Sequence, residues 1–198
     1  DFADASREMK PEEISQLEAS GGKAVETKVA RDGIAVIVNA ANGVQTLTKD
    51  QLGRIYRGEI TNWKQVGGAD KAISIISRDP SSGTYEHFKE AILGKGKNYA
   101  KSAKLLASNQ AIVDEVKADP DAIGYVGVGY ESKDVQVIAL DGVKASVGTV
   151  LDGTYGLSRG LYMYSNGEPK DIAKTYITWI LSDAGQKIVT SEGFVPAK

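Results

Sequence analysis

Consecutive apolar residues alternate along this chain with apolar residues spaced at helical intervals. Continuous apolar runs, which are typical of strands buried on both faces, cover residues 33–39, 73–76, 122–128, 135–140 and 161–164. Between these runs, apolar residues recur three and four positions apart, as they do in amphipathic helices. This alternation predicts an α/β fold that is built on largely parallel sheets.

The predicted helices begin and end at residues that suit helix termini. Pro11, Glu12 and Glu13 are typical of a first helical turn, and the helix that they open is predicted to end at Gly21. Further helices are predicted over 48–58, 84–93 and 111–118 and from residue 169 onward. One face of the last helix carries the apolar residues Ile172, Ala173, Tyr176, Ile177, Ile180 and Leu181.

Length and composition exclude several classes of protein. The 198 residues, 41% of them hydrophobic, are enough for one sizeable core or two small lobes. A formal net charge of −2 gives no overall attraction to nucleic acid, so Trp63 and Trp179 are predicted to be core or lobe-interface residues. The absence of Cys excludes disulfides, iron–sulfur centres and thiol catalysis. We predict no cofactor and no metal, since Asp1, Asp4, Glu12 and Glu13 lack a metal-loop spacing.

The segment 75–88 carries the clearest chemistry in the sequence. A buried strand is followed by Arg78, then by Ser82, Gly83 and Thr84 at the start of a predicted helix. Unpaired backbone N–H groups and the positive end of the helix dipole therefore meet at one point. The two hydroxyls add donors, Gly83 permits close backbone approach, and the guanidinium offers a bidentate fork. The pattern predicts a local anion site.

Two other interpretations of this segment remain open at this stage. A Ser at this position is also the commonest kind of helix N-cap, in which case Ser81 or Ser82 does no more than begin the helix. A serine hydrolase would use Ser82 with His87, but His87 lies one turn into the same helix and no nucleophile-elbow motif is present. His87 is accordingly predicted to be a surface or interface residue.

A series of short motifs runs through the whole chain in a fixed order. They are Ala5-Ser6-Arg7, Glu12-Glu13, 32–39, Leu47-Thr48, 55–58, 60–64, Gly67-Gly68, Arg78, 82–84, 122–126 and 193–196. In this number and order they resemble the phosphate-binding-protein family of bacterial phosphate ABC transporters. The resemblance implies a type II periplasmic-binding-protein fold, with two α/β lobes, a central ligand cleft and closure by a hinge. We expect a first lobe at 1–40 and 135–198 and a second lobe at 41–134.

The resemblance also assigns site residues. Arg78, Ser82, Gly83 and Thr84 match the family's oxyanion-binding loop, and Ser6 with Arg7 matches a cleft-facing strand end of the first lobe. The best-studied members carry an Asp where Arg7 stands, and that Asp accepts the proton of hydrogen phosphate. Arg7 cannot accept a hydrogen bond. Related members also carry Ser-Arg here, so the departure weakens the argument for phosphate over sulfate and leaves anion binding in place.

Family members carry a strand–helix–strand unit before the segment that matches Asp1. We expect, from the resemblance, that the first lobe is N-terminally incomplete and that another polypeptide or a second copy completes it. The start at Asp1 without Met is expected of a processed, engineered or partial chain.

The expected function is that of a non-enzymatic, periplasmic or cell-surface solute-binding protein. It would capture phosphate or a similar tetrahedral oxyanion for an ABC permease. The alternative is a structural or interaction subunit that keeps the fold with weak or no ligand affinity.

Overall fold

The computed structural model describes residues 2–130 and 132–198. Asp1 and Glu131, which fall within the predicted lobe ranges 1–40 and 41–134, lie outside the described residues. The strands are β1 (Ala3–Ala5), β2 (Ala24–Asn39), β3 (Thr46–Leu47), β4 (Ser74–Arg78), β5 (Lys104–Leu106), β6 (Ala122–Gly127), β7 (Val135–Val137), β8 (Ala139–Leu140), β9 (Val143–Lys144), β10 (Ser158–Asn166) and β11 (Val195–Pro196). The α-helices are α1 (Pro11–Ala19), α2 (Lys49–Tyr56), α3 (Gly83–Phe88), α4 (Asn109–Ala118), α5 (Val147–Leu151), α6 (Asp171–Ile180) and α7 (Asp183–Ser191).

Most of the predicted elements are present, with shifted ends. The apolar run at 33–39 is the second half of a 16-residue strand, β2, whose first half is more polar. The helix predicted over 84–93 is α3 followed by a π-helical turn, Lys89–Leu93. None of the helices in the described part of the chain is long and apolar enough to cross a membrane.

The chain forms two compact units. One consists of Asp1–Asp32 and Ser158–Lys198, and the other of Gly33–Leu157. The backbone passes from one unit to the other within β2 and again immediately before β10. The predicted lobe boundaries, after residues 40 and 134, fall at other positions, and the assignment of lobes to these ranges stays a prediction.

The unit Gly33–Leu157 is built around the second half of β2. This part of β2 pairs antiparallel with β6, from Ile34 opposite Gly127 to Val38 opposite Ile123. Beyond β6 follow β4 and β5, each parallel to its neighbour, and α4 packs against β6. Residues 34–38 of β2 are fully buried. A continuous apolar run thus forms the strand at the centre of the core, as its sequence predicts.

The unit with the chain ends contains β1, β10, the first half of β2, and β11. Strand β1 pairs antiparallel with β10, from Ala3 opposite Tyr164 to Ala5 opposite Tyr162, and β11 pairs antiparallel with β2. Helices α1, α6 and α7 belong to the same unit.

The expectation of largely parallel sheets is wrong. The strands β5, β4 and β6 are parallel and are joined through the helices α3 and α4, as crossover connections require. The pairs β2–β6, β1–β10 and β11–β2 are antiparallel. Strands β2 and β6 are not consecutive in the chain, so the alternation of local patterns does not determine their relative direction.

The apolar face of α6 is not the buried face that its spacing suggests. Ile177 is buried, whereas Ile172 is 85% exposed and Tyr176 is 50% exposed. Trp179, predicted to be a core or interface residue, is also half exposed, while Trp63 is fully buried as predicted. Helical periodicity shows which residues share a face, and it does not show whether another element packs on that face.

The close packing of α4 on β6 depends on a glycine. A Cβ atom at Gly124 would lie 2.7 Å from Ile112 Cγ2 and 2.9 Å from Val116 Cγ2. We expect Gly124→Ala to lower the free energy of unfolding by about 1–3 kcal/mol, because the added methyl overpacks a filled core. Denaturant titration measures this change.

Gly43→Ala is the matched control, since a Cβ at Gly43 meets no atom within 4 Å. Its free energy of unfolding should change by less than about 1 kcal/mol. Equal stability of Gly124→Ala and the parent would show that α4 does not pack this closely on β6.

Candidate anion-binding site

The predicted anion loop lies between β4 and α3, within the unit Gly33–Leu157. Arg78 is the last residue of β4, Ser82 immediately precedes α3, and Gly83 is the first residue of that helix. Because β4 runs parallel to β5 and β6, its carboxyl end lies at the edge of the sheet where ligands bind in α/β proteins. The structure therefore brings Arg78, Ser82, Gly83 and Thr84 into one loop at that edge.

The guanidinium of Arg78 is held by the segment that follows β5 and by the first residue of α4. Arg78 Nη1 donates to Asn109 Oδ1 at 2.9 Å, and Nη2 donates to the Ala107 carbonyl at 3.0 Å. Among the described residues, the buried Nε of Arg78 has no hydrogen-bond partner. Since buried donors in proteins are normally paired, this guanidinium is oriented by neutral oxygens and retains a donor for a ligand.

Ser82 occupies the N-cap position of α3 and does not cap it. Its side chain is buried, with 9% of the residue exposed, and makes no capping hydrogen bond. The second and third residues of the helix, Thr84 and Tyr85, have no intrahelical acceptor for their N–H groups. The Ser82 hydroxyl therefore does not serve as the N-cap acceptor of α3.

The neighbouring Ser81 has a local role instead. Its N–H donates to Asp79 Oδ1 at 2.8 Å, and its hydroxyl donates to the same oxygen. These hydrogen bonds from Ser81 lower the pKa of the Asp79 carboxyl. Ser81 shapes the turn, which leaves Ser82 as the serine available to a ligand.

A buried hydroxyl network fixes the end of β4. The Tyr125 hydroxyl lies 2.8 Å from Ser77 Oγ and 3.0 Å from the Tyr99 hydroxyl, and it accepts a hydrogen bond from the Arg78 N–H at 3.3 Å. The Tyr125 ring stacks on Phe88, with centroids 4.0 Å apart. Strand β6 and helix α3 therefore hold the backbone from which the Arg78 side chain projects.

Burial raises the pKa values of Tyr125 and Tyr99 above the usual range of tyrosine. Both hydroxyls consequently remain protonated at physiological pH, and the network does not gain a charge next to the anion loop.

Two residues of this arrangement, Asn109 and Tyr125, are not among the predicted site residues. Asn109 directly follows Ser108, which caps α4, so the pattern around it indicates a helix start and no binding role. Tyr125 is the one polar side chain in the buried run 122–127, and an isolated hydroxyl in a fully buried strand is the signal that could have identified it.

Ser6 and Arg7 belong to the other compact unit and follow β1. Both residues are exposed. Arg7 Nη1 and Nη2 donate to the two carboxylate oxygens of Glu13 at 2.8 and 2.7 Å, and the Lys10 N–H donates to Glu13 Oε2 at 2.8 Å. The Arg7 fork thus faces a carboxylate that is itself fixed at the start of α1.

The hydrogen bonds from Arg7 and then from Lys10 hold the pKa of the Glu13 carboxyl at about 2, against the usual 4.5. Glu13 is ionised at every physiological pH, and the charge of Arg7 is locally balanced.

No group of three or more His, Cys, Asp or Glu side chains with metal-binding geometry occurs at residues 2–130 or 132–198.

The chain is similar to known proteins of one family. The model of the PBP superfamily domain matches residues 1–184. A phosphate-binding protein PstS from Borreliella burgdorferi is 31% identical over 208 residues, which cover 100% of this chain and 72% of the relative. The chain belongs to the phosphate-binding-protein family of the PBP superfamily. The resemblance inferred from the motifs is confirmed.

Solved structures agree with this assignment. An ABC-type phosphate transport receptor from Vibrio cholerae is 30% identical with a TM-score of 0.84, covering 98% of this chain and 79% of that chain. A putative phosphate ABC transporter substrate-binding protein from Clostridium perfringens, solved with bound phosphate, is 34% identical with a TM-score of 0.76, covering 100% and 79%. The predicted α/β fold of the type II periplasmic-binding-protein class is confirmed.

The chain is shorter than its relatives. It spans between 57% and 72% of the length of several curated relatives named phosphate-binding protein PstS. That the first lobe lacks a strand–helix–strand unit stays a prediction. The comparisons do not favour the alternative of a structural subunit without ligand.

The ion pair of Glu13 yields a test of the geometry at α1. Because the pKa of Glu13 is lower in the folded chain than in the unfolded chain, its carboxylate stabilises the fold above pH 4.5, and this contribution is lost as the pH falls toward about 2. We expect Glu13→Gln to lower the free energy of unfolding at neutral pH, and the difference from the parent to shrink over that acid range. Denaturant titrations at several pH values measure it.

Glu12→Gln provides the matched control, since Glu12 is exposed in the same helical turn and no ion pair with Arg7 is found for it. Its effect should be smaller at neutral pH. A Glu13→Gln effect that is equal at neutral and acid pH would contradict the described pairing.

Proposed function

We propose that this protein is an extracytoplasmic solute-binding protein that captures phosphate, or a similar tetrahedral oxyanion, and delivers it to an ABC permease. The names of its relatives support the ligand and the transport context. The location outside the cytoplasm and the permease partner are inferred from that context. Binding, rather than catalysis, is the role that this site serves.

The observation that carries the proposal is that one short segment, from the end of β4 to the start of α3, carries several hydrogen-bond donors. Arg78 brings a positive charge that is oriented by two neutral oxygens, Asn109 Oδ1 and the Ala107 carbonyl. Ser82 brings a buried hydroxyl that its own helix does not use. The N–H groups of Thr84 and Tyr85 lie in the first turn of α3, at the positive end of the helix dipole. All of these groups stabilise an oxyanion.

Each group at this loop contributes a modest free energy to anion binding. A hydrogen bond to a charged group contributes about 1.5–3 kcal/mol, and a helix N-terminus adds about 0.3–1 kcal/mol. Three or four such contacts sum to roughly 5–13 kcal/mol before the cost of association is subtracted, and a micromolar dissociation constant corresponds to about 8 kcal/mol.

We also propose Ser6 and Arg7 as anion-binding residues. Both side chains are donors toward an anion, and Arg7 cannot accept the proton of hydrogen phosphate. Selectivity for phosphate over sulfate must therefore come from an acceptor other than Arg7, so we leave the ligand as the class of tetrahedral oxyanions.

Replacing Arg78 should reduce phosphate affinity strongly and the free energy of unfolding only slightly. Arg78→Ala removes the charge and fork of the loop, so we expect phosphate affinity to fall by at least about tenfold. The free energy of unfolding should fall by only about 1–2 kcal/mol, since the lost contacts are two hydrogen bonds to neutral groups. Isothermal titration calorimetry with inorganic phosphate and denaturant titration measure the two quantities.

Arg54→Ala is the control, because Arg54 is an exposed arginine of the same unit, 3.6 Å from Glu59. It should leave phosphate affinity unchanged. Phosphate binding of parental strength in Arg78→Ala would overturn the site assignment. An absence of phosphate-dependent stabilisation in the parent chain would instead favour the alternative of a subunit without ligand.

A further inference from the structure

The segment between β1 and α1 carries Ser6 and Arg7 on an exposed stretch of chain. Ser6, Arg7 and Glu8 are all exposed, and the segment lines a groove of about 740 Å³ together with Tyr164. An exposed connection of this kind is normally mobile. A donor on it contributes to binding only if other groups fix the backbone, because each residue that is ordered upon binding costs conformational entropy.

Two buried tyrosines of β10 supply such attachments. The Met9 N–H donates to the Tyr164 hydroxyl at 2.9 Å, and the Tyr162 hydroxyl donates to Glu8 Oε1 at 3.0 Å. The tyrosines lie two residues apart on one strand, so both rings are on the same face of the sheet. They hold consecutive residues, Glu8 and Met9, immediately after Arg7.

Tyr164 is anchored in turn by the sheet. Its hydroxyl donates to Glu26 Oε2 at 2.6 Å, and Glu26 lies on β2, the strand next to β10. The Tyr164 hydroxyl thus donates a hydrogen bond to Glu26 and accepts one from the backbone of the segment. A phenylalanine ring would fill the same space but would make neither hydrogen bond.

Tyr162 depends on a glycine at its side. A Cβ atom at Gly160 would clash with the Tyr162 hydroxyl oxygen and would lie 2.6 Å from a ring carbon. The ring therefore lies over Gly160, and this placement lets its hydroxyl reach Glu8. Lys28, on the neighbouring strand β2, places its Nζ 5.3 Å from the centre of the Tyr162 ring, which adds a cation–π contact.

Burying the hydroxyls of Tyr162 and Tyr164 would lower the stability of the fold if they lacked hydrogen-bond partners. Tyr162 and Tyr164 are only 5% and 7% exposed, and a buried polar group destabilises a fold unless it is hydrogen-bonded. Burial raises both pKa values to about 12, so the two groups donate at every physiological pH. Hydrophobic packing alone does not require the two hydroxyls, whose described hydrogen bonds run to the segment and to Glu26.

We infer that Tyr162 and Tyr164 are positioning residues, which fix the segment of Ser6 and Arg7 for anion binding through Glu8 and the Met9 N–H. The inference rests on the proposed function, since it assumes that Ser6 and Arg7 contact the bound oxyanion.

The test uses three variants of the full chain. Tyr164→Phe and Tyr162→Phe remove one hydroxyl each, and Gly160→Ala displaces the Tyr162 hydroxyl without removing it. We expect each to weaken inorganic phosphate binding about three- to tenfold in calorimetry, the effect of losing one hydrogen bond. Hydrogen exchange at the amides of residues 6–10 should accelerate in each, while the remaining amides exchange as in the parent.

Tyr176→Phe is the matched control, because Tyr176 is a half-exposed tyrosine of the same unit. It should leave affinity and exchange unchanged. Should Tyr164→Phe fail to fold, Tyr162→Phe and Gly160→Ala carry the same test.

A double-mutant cycle separates positioning from general support of the fold. In a Ser6→Ala, Arg7→Ala background, adding Tyr164→Phe should change phosphate affinity less than about 1.5-fold, because the positioned groups are gone. An undiminished effect in that background, or unchanged affinity in all three single variants, overturns the inference. If the parent itself binds no phosphate, the proposed function fails, and faster exchange at residues 6–10 alone still reports the tyrosine contacts.

Discussion

The candidate site depends on one buried polar group that must be hydrogen-bonded, the hydroxyl of Ser77 near the end of β4. Ser77 is fully buried between parallel neighbours, where an unpaired hydroxyl would cost on the order of 1–3 kcal/mol. The Tyr125 hydroxyl pairs with it and also accepts from the Arg78 N–H. These contacts fix the last residues of β4, so Arg78 leaves the sheet in one direction and reaches Asn109 and Ala107.

The two arginines assigned to anion binding have different electrostatic surroundings. Arg78 is partly buried, and its terminal nitrogens donate to neutral oxygens, so its positive charge remains available to a ligand. Arg7 is exposed, and its terminal nitrogens face the ionised carboxylate of Glu13. A charge in partly buried surroundings is also less screened by water and salt. Of the two arginines, Arg78 is therefore the one that we propose as the source of positive charge for a bound anion.

The sequence predicts the features that neighbouring residues determine, and it does not predict those that depend on contacts between distant parts of the chain. The anion loop consists of a strand, a turn and a helix start within eleven residues, from Ser74 to Thr84. Its local sequence pattern is therefore enough to predict it. Asn109 and Tyr125 reach Arg78 across 31 and 47 residues, and no spacing rule connects them. The direction of β2 against β6 and the exposure of Ile172 on α6 are likewise decided by distant parts of the chain.

The two segments that we propose for anion binding are attached to the buried sheet in the same way. In one unit the Arg78 N–H donates to the hydroxyl of Tyr125, and in the other the Met9 N–H donates to the hydroxyl of Tyr164. A tyrosine suits this task because its rigid ring packs in a core while its hydroxyl reaches a backbone group several ångströms beyond the strand. The ring has few rotamers, so the attachment costs little conformational entropy. Loops that present donors to an anion can in this way remain at the surface and still take their positions from the buried sheet.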